Sequence, residues 1–151
     1  MVTDAGIGYM SSVWDMDAMS WIDSFIPIYK IGSGDLTAYP VIKKTLKKEK
    51  PIIISTGLST EKEVLECIEY IQKINPLYKS KDMLAILQCT SMYPILPSDA
   101  HLNVIAELKK LTNLTVGYSD HTEGSQALKY AIATVSYTHL TLPRQHLCRS
   151  R

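Results

Sequence analysis

The feature that most constrains the fold is a pattern that repeats along the chain. A short apolar run ends in small polar residues, and a stretch with apolar positions at helical spacing follows it. The five runs occupy residues 7–12, 28–31, 51–55, 83–87 and 114–118. Strands that alternate with helices predict a parallel sheet covered by helices. The three consecutive isoleucines in the third run are typical of a strand that is buried on both faces.

The helical stretches carry start signals of their own. Asp15 is placed to cap a short helix, and Pro40 suits the first turn of the next one. Thr60 and Glu63 have the spacing of a capping box, which predicts that a helix begins just after Thr60. The helix after the fifth run is expected to begin near Gly124.

Two arrangements of the sheet are compatible with this alternation, an open doubly wound sheet and a barrel. No G-x-G-x-x-G motif follows the first run, which argues against a dinucleotide-binding open sheet. Nearly every run ends in hydroxyl or ionisable residues, and a (β/α) barrel builds its active site at those strand ends. The sequence therefore favours a (β/α) barrel, of which about five of the eight units are present.

Composition excludes several classes of partner. Sixteen Lys and Arg against fifteen Asp and Glu leave a net charge of +1, so we expect no binding to nucleic acid or to an anionic membrane. No apolar run approaches the ~20 residues that cross a bilayer. The three cysteines match no zinc motif, and their odd number and scattered spacing are typical of a reducing cytoplasm.

Lys30 is the most informative charged residue within these runs. Strand alternation places it on one face with Ile28, where it would point into a barrel. A buried ammonium group is costly unless an anion meets it, and the Gly-Ser-Gly turn at 32–34 offers backbone N–H groups and a hydroxyl to the same anion. The alternative interpretation is a lysine whose ammonium group reaches solvent at the rim.

Hydroxyl and histidine side chains follow the later strands. Ser55 is suited to binding phosphate oxygens, although a turn before a helix cap is the alternative. Ser91 and Tyr93 follow the fourth run, where ordinary loop polarity is the alternative. His121 lies beside Asp120 after the fifth run, and a histidine there binds a metal, shuttles a proton or has a structural role.

Four motifs taken together are more specific than any of these residues alone. They are YKIGSGD at 29–35, PIIISTG at 51–57, QCTSMYP at 88–94 and VGYSDHT at 116–122. In this order they resemble the sialic acid synthase family, which includes N-acetylneuraminate synthase and its legionaminic and pseudaminic acid relatives. The resemblance extends from about Gly6 to Ala133.

The resemblance implies a (β/α)8 TIM barrel, of which this chain carries the third to seventh strands without closing the barrel. It implies an enzyme that condenses phosphoenolpyruvate with an N-acetylated amino sugar in its aldehyde form, such as N-acetylmannosamine, and releases phosphate. The enol carbon attacks the aldehyde, water adds to the resulting cation, and a C–O bond breaks. A divalent metal, manganese or magnesium, assists, and the complete enzyme is expected to be a homodimer.

Site residues carry over from the motifs position by position. The resemblance implies that Lys30 and Asp35 are catalytic, with Asp35 near the reacting centre. Lys30 and Ser33 are expected to contact phosphoenolpyruvate. Ser55 and Ser119 are expected to bind its phosphate group.

The remaining positions face the sugar and the metal. Ser91 takes a position that the family often fills with Asn or Ser and is expected to bind substrate, and Tyr93 matches the tyrosine on the sugar side. His121 matches one of two metal-binding histidines, and the second is expected on an eighth strand that this chain does not carry.

The pattern fails after residue 134. The string VSYTHLTLP resembles the translation of a transposase adapter used in DNA library preparation, so we expect residues 135–151 to be non-native and residues 1–134 to be the barrel fragment. The alternative is a native, poorly ordered tail.

We expect the fragment itself to be inactive, because the missing strands carry the other half of the site. A non-catalytic half-barrel that binds an anion or pairs with another chain is the alternative. Another anion-binding barrel, such as an aldolase, is a weaker one.

Overall fold

The computed structural model describes residues 3–134, and the predicted tail at 135–151 lies outside the described residues. One parallel sheet holds the strands β1 (Tyr29–Ile31), β2 (Ile52–Ser55), β3 (Leu84–Cys89) and β4 (Thr115–Ser119). Their order in the sheet is their order in the chain. Parallel neighbours require a crossover, so each strand is joined to the next through a helix.

Five α-helices accompany these strands. Helix α1 (Ala18–Ile22) precedes β1, and α5 (Gln126–Ala133) follows β4. The three crossovers contain α2 (Tyr39–Leu46), α3 (Glu61–Ile74) and α4 (Asn103–Thr112). Single-turn 3₁₀ helices occupy Thr3–Ala5, Ser33–Asp35, Pro76–Lys79 and Pro97–Ala100.

The local start signals are confirmed. The Thr60 side chain accepts a hydrogen bond from the Glu63 N–H at 3.3 Å, and the Thr60 N–H donates to Glu63 Oε2 at 2.7 Å, which completes the capping box of α3. The Asp15 carboxylate accepts hydrogen bonds from the N–H groups of Asp17 and Ala18 at the start of α1. Pro40 lies in the first turn of α2.

The two faces of the sheet have different environments. Side chains that point toward the helices are buried, among them Tyr29, Ile52, Ile54, Leu84, Ile86 and Val116. The alternate side chains form the inner face, and Ile53, Ala85, Leu87 and Gly117 are only half-buried there. A helix-covered outer face and a partly open inner face are expected of a barrel segment that does not close on itself.

The first apolar run differs from its prediction. Residues 7–12 form no strand, and the segment contributes a single parallel bridge between Ser12 and Lys30. Gly8 lies inside this run, and a glycine within a strand weakens it because it adds backbone entropy and has no side chain to pack. The predicted fold class is confirmed as a partial, unclosed (β/α) barrel. It has four strands, and the Ser12–Lys30 bridge stands where the first of the five predicted strands was expected.

A polar cluster joins the elements below the sheet, at the amino ends of β1 and β2. The Asp23 carboxylate accepts a hydrogen bond from the Tyr29 hydroxyl at 2.8 Å and pairs with Lys50 at 3.0 Å and Lys48 at 3.4 Å. Lys50 also donates to the backbone carbonyl groups of Asp23 and Ile26. Partial burial by itself raises the pKa of Asp23, but the Tyr29 and Lys50 hydrogen bonds and the Lys48 charge outweigh it and hold that pKa below its usual range.

Replacing Asp23 with asparagine is expected to lower the free energy of unfolding by about 1 kcal/mol at neutral pH. The Asp23 pKa is lower in the folded than in the unfolded chain, so the ionised carboxylate contributes stability above its unfolded pKa. That contribution disappears as the pH falls through the folded pKa. Thermal melts should therefore show a difference between the two proteins at neutral pH that shrinks in acid.

The matched control for this change is Asp82→Asn. Asp82 is exposed, and its carboxylate has no partner within residues 3–134. This variant should melt like the parent protein throughout. An Asp23→Asn difference that stayed constant from neutral to acidic pH would contradict the role given to the charge.

Within residues 3–134, no helix has both the length and the apolar character needed to cross a membrane.

Candidate functional site

A pocket lies at the carboxyl ends of the four strands and is called the strand-end pocket below. Its cavity volume is about 540 Å³. Seven of the eight predicted site residues line it: Lys30, Ser33, Asp35, Ser55, Tyr93, Ser119 and His121. They come from all four strand ends because parallel strands place their carboxyl ends at one edge of a sheet.

Lys30 provides the positive charge on the pocket wall. It is half-buried on β1, and its ammonium group donates a hydrogen bond to Ser55 Oγ at 3.1 Å on the neighbouring strand. Ser55 is only 2% exposed and lies on β2, while the cap of α3 is Thr60. Within residues 3–134, no carboxylate forms an ion pair with Lys30. Lys30 therefore has no carboxylate at salt-bridge distance in this part of the chain, although the Asp35 carboxylate lines the same pocket.

Ser33 and Ser91 form a hydroxyl pair beside the pocket. Their Oγ atoms lie 3.0 Å apart, although the residues are 58 positions apart in the chain. Ser91 itself does not line the pocket, and it reaches the site through Ser33. Gly57 makes this approach possible, because a Cβ atom there would lie 2.1 Å from Ser91 Oγ and 3.2 Å from Ser33 Oγ.

His121 is held in one orientation by its neighbours. Its Nδ1 lies 2.6 Å from the Thr90 carbonyl oxygen, and a carbonyl only accepts, so Nδ1 donates. The Tyr93 ring stacks on the imidazole with centroids 3.8 Å apart. Cys89 Sγ lies 3.7 Å from Nε2. In the neutral ring Nε2 is then the acceptor, and its lone pair faces the Cys89 thiol, a weak donor that a metal ion or a proton could displace.

The carboxylate of Asp120, the residue before His121, binds a neighbouring turn. Asp120 Oδ1 accepts hydrogen bonds from the Thr122 N–H at 2.9 Å and the Thr122 hydroxyl at 2.8 Å. It therefore stabilises the turn after β4, and its carboxylate makes no hydrogen bond to His121. Among residues 3–134, no group of three or more His, Cys, Asp and Glu side chains is placed to hold a metal ion. His121 can supply one ligand, and this part of the chain does not form a complete metal site.

Two further predicted residues lie at opposite ends of the pocket. Asp35 ends the 3₁₀ turn that follows β1 and is half-buried on the pocket wall. Ser119 is the last residue of β4 and contributes its hydroxyl from the other end of the sheet. The pocket lining thus includes one carboxylate, three predicted serine hydroxyls and the Lys30 ammonium group, which contacts Ser55.

Sequence reasoning missed Ser12, Trp14 and Cys89 as pocket residues. Ser12 ends the first apolar run and Cys89 ends β3, so the rule that site residues follow strands could have found both. Trp14 lies outside every run, and only its position beside Gly32 in the folded chain reveals it.

Comparison with known proteins places this chain in a family. A model of the NeuB family matches residues 1–146. N-acetylneuraminate-9-phosphate synthase of Mus musculus is 34% identical over 146 residues, which cover 93% of this chain and 39% of the mouse protein. N,N'-diacetyllegionaminic acid synthase of Campylobacter jejuni is 32% identical over 142 residues, covering 91% of this chain and 42% of that protein. The chain thus spans about two fifths of these relatives.

A solved structure shares the fold. The N-acetylneuraminic acid synthetase of Leptospira borgpetersenii, in complex with citrate, superimposes with a TM-score of 0.80 at 24% identity. The match covers 88% of this chain and 45% of the Leptospira chain. The family match, which extends over nearly the whole sequence, leads to one conclusion: the chain belongs to the NeuB family.

Proposed function

We propose that this chain is part of a synthase that condenses phosphoenolpyruvate with an N-acetylated amino sugar, N-acetylmannosamine or a relative, to a nonulosonic acid and phosphate. Membership of the NeuB family supports this, as do relatives named for the synthesis of sialic and legionaminic acids. The observation that carries the proposal is the Lys30 ammonium group, which lies among hydroxyls in the strand-end pocket without an ion-pair partner in residues 3–134.

Several side chains of the pocket are proposed to bind the anion together. The Lys30 charge and the Ser55 hydroxyl are already joined, so both can bind one phosphate or carboxylate group without reorganising. Ser33 and Ser119 add hydroxyls from the two ends of the sheet. A phosphoenolpyruvate molecule held in this way would keep its enol carbon in a fixed position for attack on an aldehyde.

The sugar is proposed to lie on the side of Ser91 and Tyr93. Tyr93 is 77% exposed at the pocket mouth, and Ser91 supports Ser33. Asp35 is the carboxylate on the pocket wall, and we propose that it acts near the reacting carbon.

We further propose that the complete enzyme uses manganese or magnesium, with the Nε2 atom of His121 as one ligand. Such an ion would polarise the sugar aldehyde. The described residues provide this single histidine, so the isolated chain is expected to hold a metal weakly.

The assembly and location of the complete enzyme are also proposals. We propose a homodimer that works in the cytoplasm. The two cysteines in the described part of the chain, Cys67 and Cys89, are both free, which is consistent with a reducing compartment.

Phosphoenolpyruvate is expected to raise the melting temperature of the full chain, because a ligand that binds only the folded state stabilises it by mass action. Pyruvate, which lacks the phosphate group, should give a smaller shift. Scanning calorimetry across a concentration series of each compound measures both. Equal shifts, or none with either compound, would contradict a phosphate-binding pocket.

The isolated chain is expected to release no phosphate from phosphoenolpyruvate and N-acetylmannosamine in the presence of manganese. The proposed reason is that part of the site lies on barrel units that residues 3–134 do not contain, since β1 and β4 each leave one edge without a strand partner there. A phosphate assay with and without the sugar tests this. Release that depends on both substrates would refute the proposal that the chain is an inactive fragment.

The open sheet edges favour a second candidate, a non-catalytic half-barrel that binds an anion or pairs with another chain. Unpaired parallel edges invite association. Sedimentation together with melting separates the candidates. A cooperative melt that phosphoenolpyruvate shifts favours the binding module, whereas an aggregated species without a cooperative melt favours a broken fragment of the synthase.

A further inference from the structure

The lysines of this chain are unevenly placed around the fold. Helices run back against the direction of the parallel strands, so the helix carboxyl ends and the loops that lead into the strands meet at the amino ends of β1 to β4. This side of the molecule also holds the Asp23 cluster and is called the amino-end face below. Six exposed lysines belong to it: Lys47, Lys73, Lys79, Lys81, Lys109 and Lys110.

Hydrogen bonds between loops hold the amino-end face together as one surface. The Tyr78 hydroxyl, in the loop before β3, donates to the Lys50 carbonyl oxygen at 2.9 Å in the loop before β2. The Thr115 hydroxyl, at the start of β4, donates to the Lys81 carbonyl oxygen at 3.2 Å. The lysines therefore stand on loops that are fixed against one another.

Few negative charges oppose these lysines. The carboxylates on the amino-end face are Asp23, which already pairs with Lys48 and Lys50, and the exposed Glu49 and Asp82. Within residues 3–134, none of the six exposed lysines forms an ion pair. The net charge of +1, from which we expected no binding to an anionic membrane, is a total for the whole chain and does not describe this basic face.

Large apolar side chains are exposed among the lysines. Phe25 is 66% exposed in the loop before β1, Ile74 is 43% exposed at the end of α3, and Leu77 is 44% exposed in the 3₁₀ turn that follows. Lys50 donates to two backbone carbonyl groups of the segment around Phe25, which keeps that ring beside the basic loops. Helix dipoles favour lysines at helix carboxyl ends, but they do not account for exposed apolar side chains between them.

We propose that the amino-end face docks on an anionic lipid bilayer. The lysines contact the lipid phosphate groups, and Phe25 and Leu77 enter the layer between headgroups and acyl chains. The chain lies on such a membrane and does not cross it. The strand-end pocket opens at the other end of the strands, so it stays accessible from water. The inference goes beyond the proposed function and does not depend on it, because it requires no substrate.

A bilayer fits this face better than a nucleic acid does. Arginine, which binds nucleic-acid phosphates with two parallel hydrogen bonds, is absent from residues 1–134. The exposed aliphatic side chains Ile74 and Leu77 find no apolar partner on a phosphate backbone, whereas a bilayer offers one directly beneath its phosphate groups. Basic and apolar side chains on one surface are therefore matched by a single partner.

The test measures cosedimentation of the full chain with vesicles of phosphatidylcholine alone and with vesicles of equal parts phosphatidylcholine and phosphatidylglycerol. We expect binding to the anionic vesicles only, and weaker binding as salt is added. Replacing both Lys79 and Lys81 with glutamine should weaken that binding about 30-fold, the usual effect of two lysines at such a surface. Phe25→Ala should weaken it about tenfold through the lost apolar contact.

Each variant has a matched control away from the amino-end face. Replacing both Lys62 and Lys129 with glutamine removes two exposed lysines from the start of α3 and from α5, which gives the same net charge. Leu58→Ala shortens a side chain that is 85% exposed beyond the carboxyl end of β2. Both controls should bind the anionic vesicles like the parent protein, and all variants should melt like it.

The controls also separate the amino-end face from residues 135–151, which contain three arginines and lie outside the described residues. Binding through that segment would be equal in the face variants and their controls, and such equality overturns the inference. A parent protein that does not bind the anionic vesicles overturns it as well. So does tighter binding to polyuridylic acid than to these vesicles. Phosphoenolpyruvate binding is measured without lipid, so the proposed function stands or fails separately.

Discussion

Replacing Lys30 with methionine is expected to weaken phosphoenolpyruvate binding between about tenfold and a hundredfold, the usual cost of losing a hydrogen bond to a charged group. Lys30 places its ammonium group in the strand-end pocket, 3.1 Å from Ser55 Oγ. Methionine keeps most of the length of the side chain and removes the charge. Titration calorimetry with phosphoenolpyruvate measures the loss.

The comparison for this variant is Lys129→Met, which removes the same charge from the exposed surface of α5. Both variants have the same net charge, so a general electrostatic effect would weaken binding equally in both. We expect the loss in Lys30→Met alone, with circular dichroism showing unchanged helix content in both proteins. Equal affinities of the two variants for phosphoenolpyruvate would show that Lys30 does not bind the anion.

Replacing Gly57 with alanine is expected to lower the free energy of unfolding by about 1–3 kcal/mol, the range for an added methyl group in a packed site. The new Cβ atom would lie 2.1 Å from Ser91 Oγ and 3.2 Å from the Cys89 carbonyl oxygen. The serine hydroxyl can rotate away, but the carbonyl belongs to the backbone at the end of β3 and cannot. Thermal or denaturant melts measure the change.

The same substitution should also reduce phosphoenolpyruvate affinity. The new methyl group would displace Ser91 Oγ and crowd Ser33 Oγ at 3.2 Å, so we expect it to break the 3.0 Å contact between their hydroxyls beside the pocket. Gly8→Ala is the matched control, because a Cβ atom at Gly8 would meet only Pro27 Cγ at an ordinary 3.8 Å. A Gly57→Ala protein as stable as Gly8→Ala would show that the turn after β2 is looser than its geometry indicates.

Much of the fold could be predicted because its signals are local or periodic. The capping box of Thr60 and Glu63 depends on residues three positions apart, and the structure contains it. The alternation that put Lys30 on the inner face and Tyr29 on the outer one also holds, since Tyr29 is 1% exposed under the helices. The first run at 7–12 was predicted as a strand and is not one: only Ser12 pairs with β1, and strand formation depends on a continuous backbone register that apolar composition does not specify.

For the site, the sequence predicted only that its residues lie at the carboxyl ends of the strands. The order of the motifs brought seven of the eight predicted residues to one pocket, since parallel strands align their carboxyl ends. Their pairings were not predictable. Ser91 meets Ser33, and the tautomer of His121 depends on the Thr90 carbonyl group, 31 residues earlier in the chain. The roles of these residues toward substrates and metal stay predictions.

The sequence by itself determined that strands and helices alternate, that their polar ends form a site, and that a lysine lies among serines. These properties follow from periodicity and chain order. Only the tertiary structure decided that Gly57 must lack a side chain, that Asp120 serves a turn, and that Trp14 stands at the pocket wall. Such contacts join residues on different strands and loops. They depend on strand register and on the path of the loops, and no repeating pattern in the sequence predicts either.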